Sequence, residues 1–344
     1  MAERVMMIRK VLRVIFFPLV LVRRQYLKKR AWRNRLRVFD YDKKRFLRYA
    51  GCCDKESRES KLAEIIMAYH IVEKGLTMPR RHFDFGHAAV LDLLAKITDF
   101  VGIWGISDRQ VQHAIGVVKS YLKMHQDEKF NFSKDAMFWK KIKDFCQSYD
   151  NVSPSNQYHF SRDTFFASCD KDFMTFALSR HTVRHYSDPI PDDVITSAVS
   201  LAMTAPSACN RQHTHVHCIS NHNMRDRLLS IQNGNRGFGS DADKLLVVTT
   251  CLNDIQYIEE RNDPYVNAGI FIMNLCYSLH YYKIACCILN WHASPETDIK
   301  ARELMSIPDS ESIVAIISCG LPPKEFDVAQ SPRKAVDDIL VNHQ

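Results

Sequence analysis

The run Lys244–Leu252 constrains this chain more than any other stretch. Leu245, Leu246, Val247 and Val248 are apolar on both parities, whereas a strand with one wet face alternates apolar and polar residues. Such a strand must be covered on both sides. His215–Ile219, Ala285–Leu289 and Ser312–Cys319 are the other strand candidates. Helices are expected between them. One covers Pro191–Ala205, with Pro at its first turn, Asp192 and Asp193 near its positive end and Pro206 as its stop. A long one covers Pro264–Tyr282, and a third starts from Ser294 as N-cap and runs to Met305.

Residues 38–150 have a different texture, mostly amphipathic helix. In Lys61–Lys74 the apolar residues Leu62, Ile65, Ile66, Tyr69 and Val72 recur at three- and four-residue spacing, and Gly75 fits a left-handed C-cap. Gly86–Phe100 and Ser107–His125 read as two more helices, with Gly102–Ile106 as the turn between them. Asn151–Gln157 is rich in turn formers and reads as a linker. The organisation expected is a basic arm (1–45), a helical extension (46–150), a linker (151–169) and a domain of alternating helices and strands (170–344), with no internal repeat.

Charge is unevenly spread. Residues 1–37 hold 12 of the 47 Lys+Arg and a single acid, Glu3, so 35 basic and 38 acidic residues remain for the rest. The body is therefore nearly neutral despite a net charge of +8, which argues against a broad nucleic-acid face. The apolar run Val14–Val22 inside the arm is too short to span a bilayer of roughly 30 Å, and Arg23–Arg24–Gln25–Tyr26 is unlike a signal-peptide cleavage site. Two accounts stay open: an interfacial segment on an anionic membrane, or a basic tail packed on the body or a partner. Eleven cysteines without any C-x-x-C motif point to free thiols in a reducing, cytoplasmic setting rather than to disulfides or zinc.

Chemistry concentrates in two segments. Arg180, His181, Thr182 and Arg184 lie in Ser179–Ser187, and Pro206, Ser207, Ala208 and Asn210 lie in a polar turn after an apolar helix. Guanidinium groups grip phosphate bidentately, and a second cation can stabilise charge on a reduced ring. If the first segment is extended, Arg180 and Arg184 stand about 13 Å apart on one face, at roughly 3.3 Å per residue. His213, His215 and His217 also alternate. Neighbours almost 7 Å apart suit one metal ion poorly, so strand histidines are the favoured account and no metal site is assigned. His70 and Lys74 stack one helical turn apart with Glu73 beside them. The simpler account is a capped helix with a surface charge pair worth a few tenths of a kcal/mol; the other makes them substrate-side groups.

Together these segments resemble the flavin-binding segments of the nitroreductase family, whose members bind FMN between the subunits of a homodimer. The resemblance spans about residues 170–340. Its helical extension is similar to that of nitroreductase-like proteins from surface-polysaccharide gene clusters. It implies an α+β fold with a central mixed sheet flanked by helices and preceded by the extension. It also implies that Arg180 meets the phosphate, with His181 and Thr182 beside it, and that Arg184 lies near the pyrimidine edge. Pro206, Ser207, Ala208 and Asn210 would touch the flavin held mainly by the partner subunit. Asn235, in Gln232–Phe238, would reach the flavin's middle. Cys287 and Ile288, in Ile284–Trp291, would offer backbone N–H groups near N5. Arg333, with Lys334 second, would close on the phosphate from Ser331–Lys334. The family's usual Pro-Trp after Gln212 is here His213–Thr214, which affects the start of the strand. The activity implied is FMN-dependent oxidoreduction: NADH or NADPH reduces the flavin, and a small electron acceptor is reduced in turn, with ping-pong kinetics and no side-chain catalyst. The chain has no Rossmann fingerprint that would choose between the two donors. A non-catalytic or sensory FMN protein attached to a membrane or polysaccharide-synthesis assembly is the alternative. A dehalogenase-like branch lacks support, because no substrate-capping Glu-Tyr-Lys signature is present.

Overall fold

Helices occupy most of the chain up to Ser148, and short strands alternate with helices after it. The computed structural model describes residues 2–53, 56–80 and 83–343, with side chains in the first helix from Val22 onward, Ala31 apart. The chain divides into two compact units, Met1–Lys55 with Tyr257–Arg261 and Glu56–Gln256 with Asn262–Gln344. The first unit is built on α1 (Ala2–Tyr49), where Arg261 Nη2 donates to Asp42 Oδ1 at 2.7 Å. Except for Val22, the side chains of the apolar run Val14–Val22 fall outside the described residues. Among the described residues no helix is long and apolar enough to cross a membrane.

The second unit begins with four helices, α2 (Arg58–Leu76), α3 (His87–Trp104), α4 (Arg109–Asp127) and α5 (Ala136–Ser148). Ser57 and Asp108 cap α2 and α4 by accepting from Ser60 N and Gln110 N, each cap worth about 1 kcal/mol. Ile65, Leu93, Ile97, Ile115, Ile142 and Trp139 make a core that is fully or almost fully out of water. Each such side chain contributes about 1.5–3 kcal/mol of burial. Gly75 does not take the left-handed cap position. α2 runs through it to Leu76, and Thr77 caps the helix with φ −114°. The glycine is there for space: a Cβ on residue 75 would lie 2.2 Å from the Phe85 ring.

The remaining elements are β1 (Tyr158–Ser161), α6 (Arg162–Phe165), α7 (Phe173–Ser179), α8 (Asp192–Ala202), β2 (Thr214–Ile219), α9 (His222–Ile231), β3 (Lys244–Cys251), α10 (Asp263–Tyr281), β4 (Ala285–Asn290), α11 (Pro295–Met305), β5 (Glu311–Gly320) and β6 (Glu325–Val328). α8 ends at Ala202 with Met203 as its C-cap, so Pro206 follows the stop rather than making it. The main sheet has the order β2-β3-β5-β4, and β1 pairs with β6 in a separate ribbon. Every pairing in the main sheet is antiparallel, so within one chain the expected mixed sheet is an antiparallel one.

The doubly apolar run behaves as its pattern requires. Leu245 and Val247 pack in one core with Leu228 and Leu229 of α9 and Ala301 of α11. Leu246 and Val248 pack in a second core with Ile195 and Ala198 of α8 and Leu275 and Leu279 of α10. The result is an α+β sandwich: helices, sheet, helices. β4 is left as one edge of the sheet, and the candidate site forms along that edge.

Candidate active site

The segment after α7 is fixed by its apolar residues and presents its cations. Arg180 caps α7 in an extended conformation (φ −76°, ψ 116°), and the chain from there to Ser187 joins no ladder. Val183 is fully buried, and its N–H donates to Cys286 O on the outer side of β4 at 3.1 Å. Tyr186 is buried too, its hydroxyl donating to Val183 O (2.9 Å) and Ser318 O (3.1 Å). Gly320 makes room for it, since a Cβ there would lie 2.8 Å from Tyr186 Cβ. With Val183 and Tyr186 inserted, Arg180, His181, Thr182 and Arg184 are left half-buried.

Arg184 sits against Cys287 of β4. Burial pushes that thiol up, and Arg184 pulls it partly back. Arg180 acts at the other end of the segment. Burial, then the Arg180 charge, pushes His280 down to about 4, so this imidazole is neutral at pH 7. His181 is lowered by burial, Arg180 and Arg333, which places the C-terminal Arg333 within electrostatic reach of the same spot. Arg333 Nη1 also donates to Ser331 O at 2.7 Å. Lys334 is exposed. Cys286 turns its carbonyl outward to Val183, so strand alternation turns the Ile288 N–H outward as well and the Cys287 N–H toward β5. Of the two backbone donors that the resemblance implies, Ile288 is therefore the one on the outer edge.

The helical extension reaches this cluster through α2. Arg184 Nη2 lies 3.5 Å from His70 Nε2, and burial followed by the Arg184 charge lowers the pKa of Lys74. Glu73 is no surface charge. Its side chain is 0% exposed, with Oε1 3.1 Å from His113 Nε2 and Oε2 3.6 Å from His70 Nδ1. Ser331 donates to it twice, from N (2.9 Å) and Oγ (3.2 Å). Burial works to raise its pKa, but the bonds from His113, His70 and Ser331 outweigh that and hold the carboxyl well below the usual range. Sequence reasoning passed over His113 and named Ser331 only as the start of the segment that carries Arg333. The available signal was position 73 itself, which continues the buried stripe of Tyr69, Val72 and Leu76.

The second candidate segment goes elsewhere. Cys209, Asn210 and Gln212 adopt left-handed φ values of 51°, 55° and 52°, which lets the turn fold back so that Gln212 N donates to Ser207 Oγ at 3.0 Å. Ala208 N donates to Asn267 Oδ1 (3.2 Å), and Asn267 Nδ2 donates to His213 Nε2 (3.2 Å). Pro206, Ser207, Gln212, His215, Asn267 and Phe271 line a cavity of about 330 Å³. None of the lining residues belongs to the arginine cluster. Asn235 is committed to its own loop, its amide donating to Leu229 O (2.8 Å), Gln232 O (2.7 Å) and Gln232 Oε1 (2.9 Å) and its backbone carbonyl accepting from Phe238 N (3.3 Å) and Gly239 N (2.9 Å). His215 and His217 face Glu311, while His213 precedes the strand and is buried. Among the described residues no group of three or more His, Cys, Asp or Glu could hold a metal ion.

Residues 177–235 match the model of the Nitroreductase family, a stretch that runs from α7 through the arginine segment to Asn235. No curated protein matches the chain. Among solved structures it is similar to the nitroreductase family protein of Streptococcus pneumoniae (19% identity, 50% of this chain and 100% of that one, TM-score 0.43). It is also similar to the NADPH:FMN oxidoreductase of Vibrio harveyi complexed with NAD+ (17%, 50% and 76%, TM-score 0.44). A third is the FMN-dependent nitroreductase of Clostridium difficile (19%, 48% and 92%, TM-score 0.39). The chain thus carries a nitroreductase-family segment, set in a fold of helices on an antiparallel sheet behind a helical extension.

Proposed function

We propose that this protein is an FMN-dependent oxidoreductase of nitroreductase type, taking electrons from NADH or NADPH and delivering them to a small-molecule acceptor in ping-pong fashion. One observation carries the reading: Arg180, Arg184, Arg333 and Lys74 gather beside the free edge of β4, and among the described residues none has a carboxylate partner in ion-pair contact. Arg180, Arg184 and Lys74 are half-buried and Arg333 is exposed; cations gathered without counter-charge suit an anionic ligand, and a phosphorylated flavin fits the donor set. Arg180, with His181 and Thr182 beside it, would hold the phosphate, and Arg333 would close on it, with Lys334 behind. Arg184 would lie at the pyrimidine edge and the Ile288 N–H near N5, with Cys287 packed beneath Arg184. When bound, FMN would supply the hydride chemistry, accepting from the reduced nicotinamide and giving to the acceptor. The protein's part is to bind, orient and stabilise charge.

A homodimer completes the site in this reading. Tyr265, Val266, Ile270 and Met273 leave apolar surface exposed on α10, which a second copy would cover. Pro206, Ser207, Ala208 and Asn210 of one copy, together with Asn235, would then meet the flavin of the other. Exposed Val22, Tyr26, Leu27 and Trp32 among the cations of α1 support a peripheral contact of a cytoplasmic protein with an anionic membrane. The test is the absorbance spectrum of the purified protein, followed by stopped-flow mixing with NADH and NADPH. A yellow protein bleached by either donor is expected. A colourless protein that takes up no added FMN would reject the reading, and a yellow one bleached by neither donor would favour the sensory alternative.

A further inference from the structure

We propose that Glu73, from the helical extension, is a positioning residue that sets both ends of the cation cluster: Arg184 through His70, and Arg333 through Ser331. The chemical readouts rest on the FMN reading above, whereas the geometry does not.

At one end the proton positions follow from donor chemistry. A guanidinium only donates, so the contact between Arg184 Nη2 and His70 Nε2 (3.5 Å) makes Nε2 the acceptor. The imidazole proton then sits on Nδ1, which faces Glu73 Oε2 at 3.6 Å. Glu73 thereby fixes the tautomer and the ring orientation that offer Arg184 an acceptor. At the other end, Ser331 adopts φ 44°, a left-handed conformation that a residue with a side chain rarely takes. Glu73 holds it there by accepting from both its N–H and its hydroxyl. The same strained residue turns its carbonyl to Arg333 Nη1 at 2.7 Å. Gln110 Nε2 adds a second tie from the extension, to Pro332 O at 3.3 Å. The groups facing His70 and Glu73 are Tyr69 and Lys74 on α2, His113 on α4, Arg184 on the segment after α7, and Ser331 near the C-terminus. An apolar residue at 73 would complete the stripe of Tyr69, Val72 and Leu76 without any desolvation cost. It would also leave the Ser331 N–H and both imidazoles without their acceptor. The extension is therefore part of the site.

Three variants separate the two arms. In the FMN-loaded protein, Ser331→Ala should weaken FMN binding about fivefold, as for one ordinary hydrogen bond, with the flavin midpoint potential retained. His70→Leu should lower the midpoint potential and leave binding within about twofold. Glu73→Gln, which keeps the shape and loses the charge, should do both. Unchanged binding and potential in a folded Glu73→Gln protein would overturn the proposal. So would equal loss of both properties in His70→Leu and Ser331→Ala, the mark of general loosening. If Glu73→Gln does not fold, the contrast between the other two variants decides. A readout without cofactor is trypsin cleavage after Arg333 in the apo-protein, followed site by site by mass spectrometry. It should speed up in Glu73→Gln and Ser331→Ala but not in His70→Leu, and equal rates in all would overturn the proposal. A wild-type protein that binds no FMN would reject the functional reading and leave this test standing.

Discussion

Glu73 and Glu311 have nearly the same surroundings and opposite reach. Each is gripped by two histidines and a hydroxyl: Glu73 by His70, His113 and Ser331, and Glu311 by His215 (3.1 Å), His217 (3.0 Å) and Thr249 (2.5 Å). Glu311 gathers its partners from β2 and β3, strands of its own sheet. Glu73 reaches a serine 258 positions away and joins two helices to the C-terminal segment. The first arrangement reinforces a register that backbone bonds already set; the second decides where distant pieces of chain sit. The same donor set thus acts as a local clamp in one place and as tertiary placement in the other.

The largest expected contrast is in stability. Glu73→Ala removes a buried carboxylate from all its donors and should cost about 3–5 kcal/mol, whereas Glu311→Ala should cost about 1–2 kcal/mol because the ladder remains. Urea unfolding checks both, and equal losses would break the comparison. Ligand binding sharpens it next. Arg180→Ala should weaken FMN binding about 10–100-fold through loss of a charged contact, while Glu311→Ala leaves the dissociation constant within about twofold. Flavin fluorescence titration measures each, and an equal effect of Glu311→Ala would mean that the sheet clamp also shapes the site.

A third prediction concerns the seat of α2. Gly75→Ala should destabilise the protein by about 1–3 kcal/mol, although alanine is the better helix former by about 1 kcal/mol, because the new methyl meets the Phe85 ring. Phe85→Leu in the same protein should recover part of the loss in thermal unfolding. The smallest effect is a pH dependence. Burial works to raise the Glu311 pKa, but Thr249, His217 and His215 hold it below its ordinary value of 4.5. Its contribution is therefore present above pH 4.5 and lost as the pH falls below that through the folded value. The difference in melting temperature between wild type and Glu311→Gln should shrink over that range. The corresponding difference for Glu73→Gln should persist there, because Glu73 is held lower still.

Much of this was legible in the residues. The parity of Leu245–Val248 predicts a strand covered on both faces, and both cores are present. The Ser294 cap and the long helix after Pro264 are also where the pattern puts them, the cap accepting from Thr297 N. The short ribbon of β1 and β6 was not visible, because four-residue strands carry too little periodicity to stand out from the linker and tail around them. Gly75 was misleading for a plain reason: a glycine that makes room for an aromatic ring looks in sequence like one that ends a helix. The clearest gap was Glu73. A charged residue between a histidine and a lysine reads as surface, and only the partners brought by α4 and by Ser331 make it interior.

The outer side of β4 has a further consequence. A strand edge with outward N–H and C=O groups and an exposed Ile288 is a template on which another chain could add a strand. Here the segment from Arg180 to Ser187 lies along it, takes up the Cys286 carbonyl and lines it with guanidinium groups. Charge and an irregular backbone deter strand addition, so the residues read here as a ligand cradle also keep the sheet from growing into its neighbours.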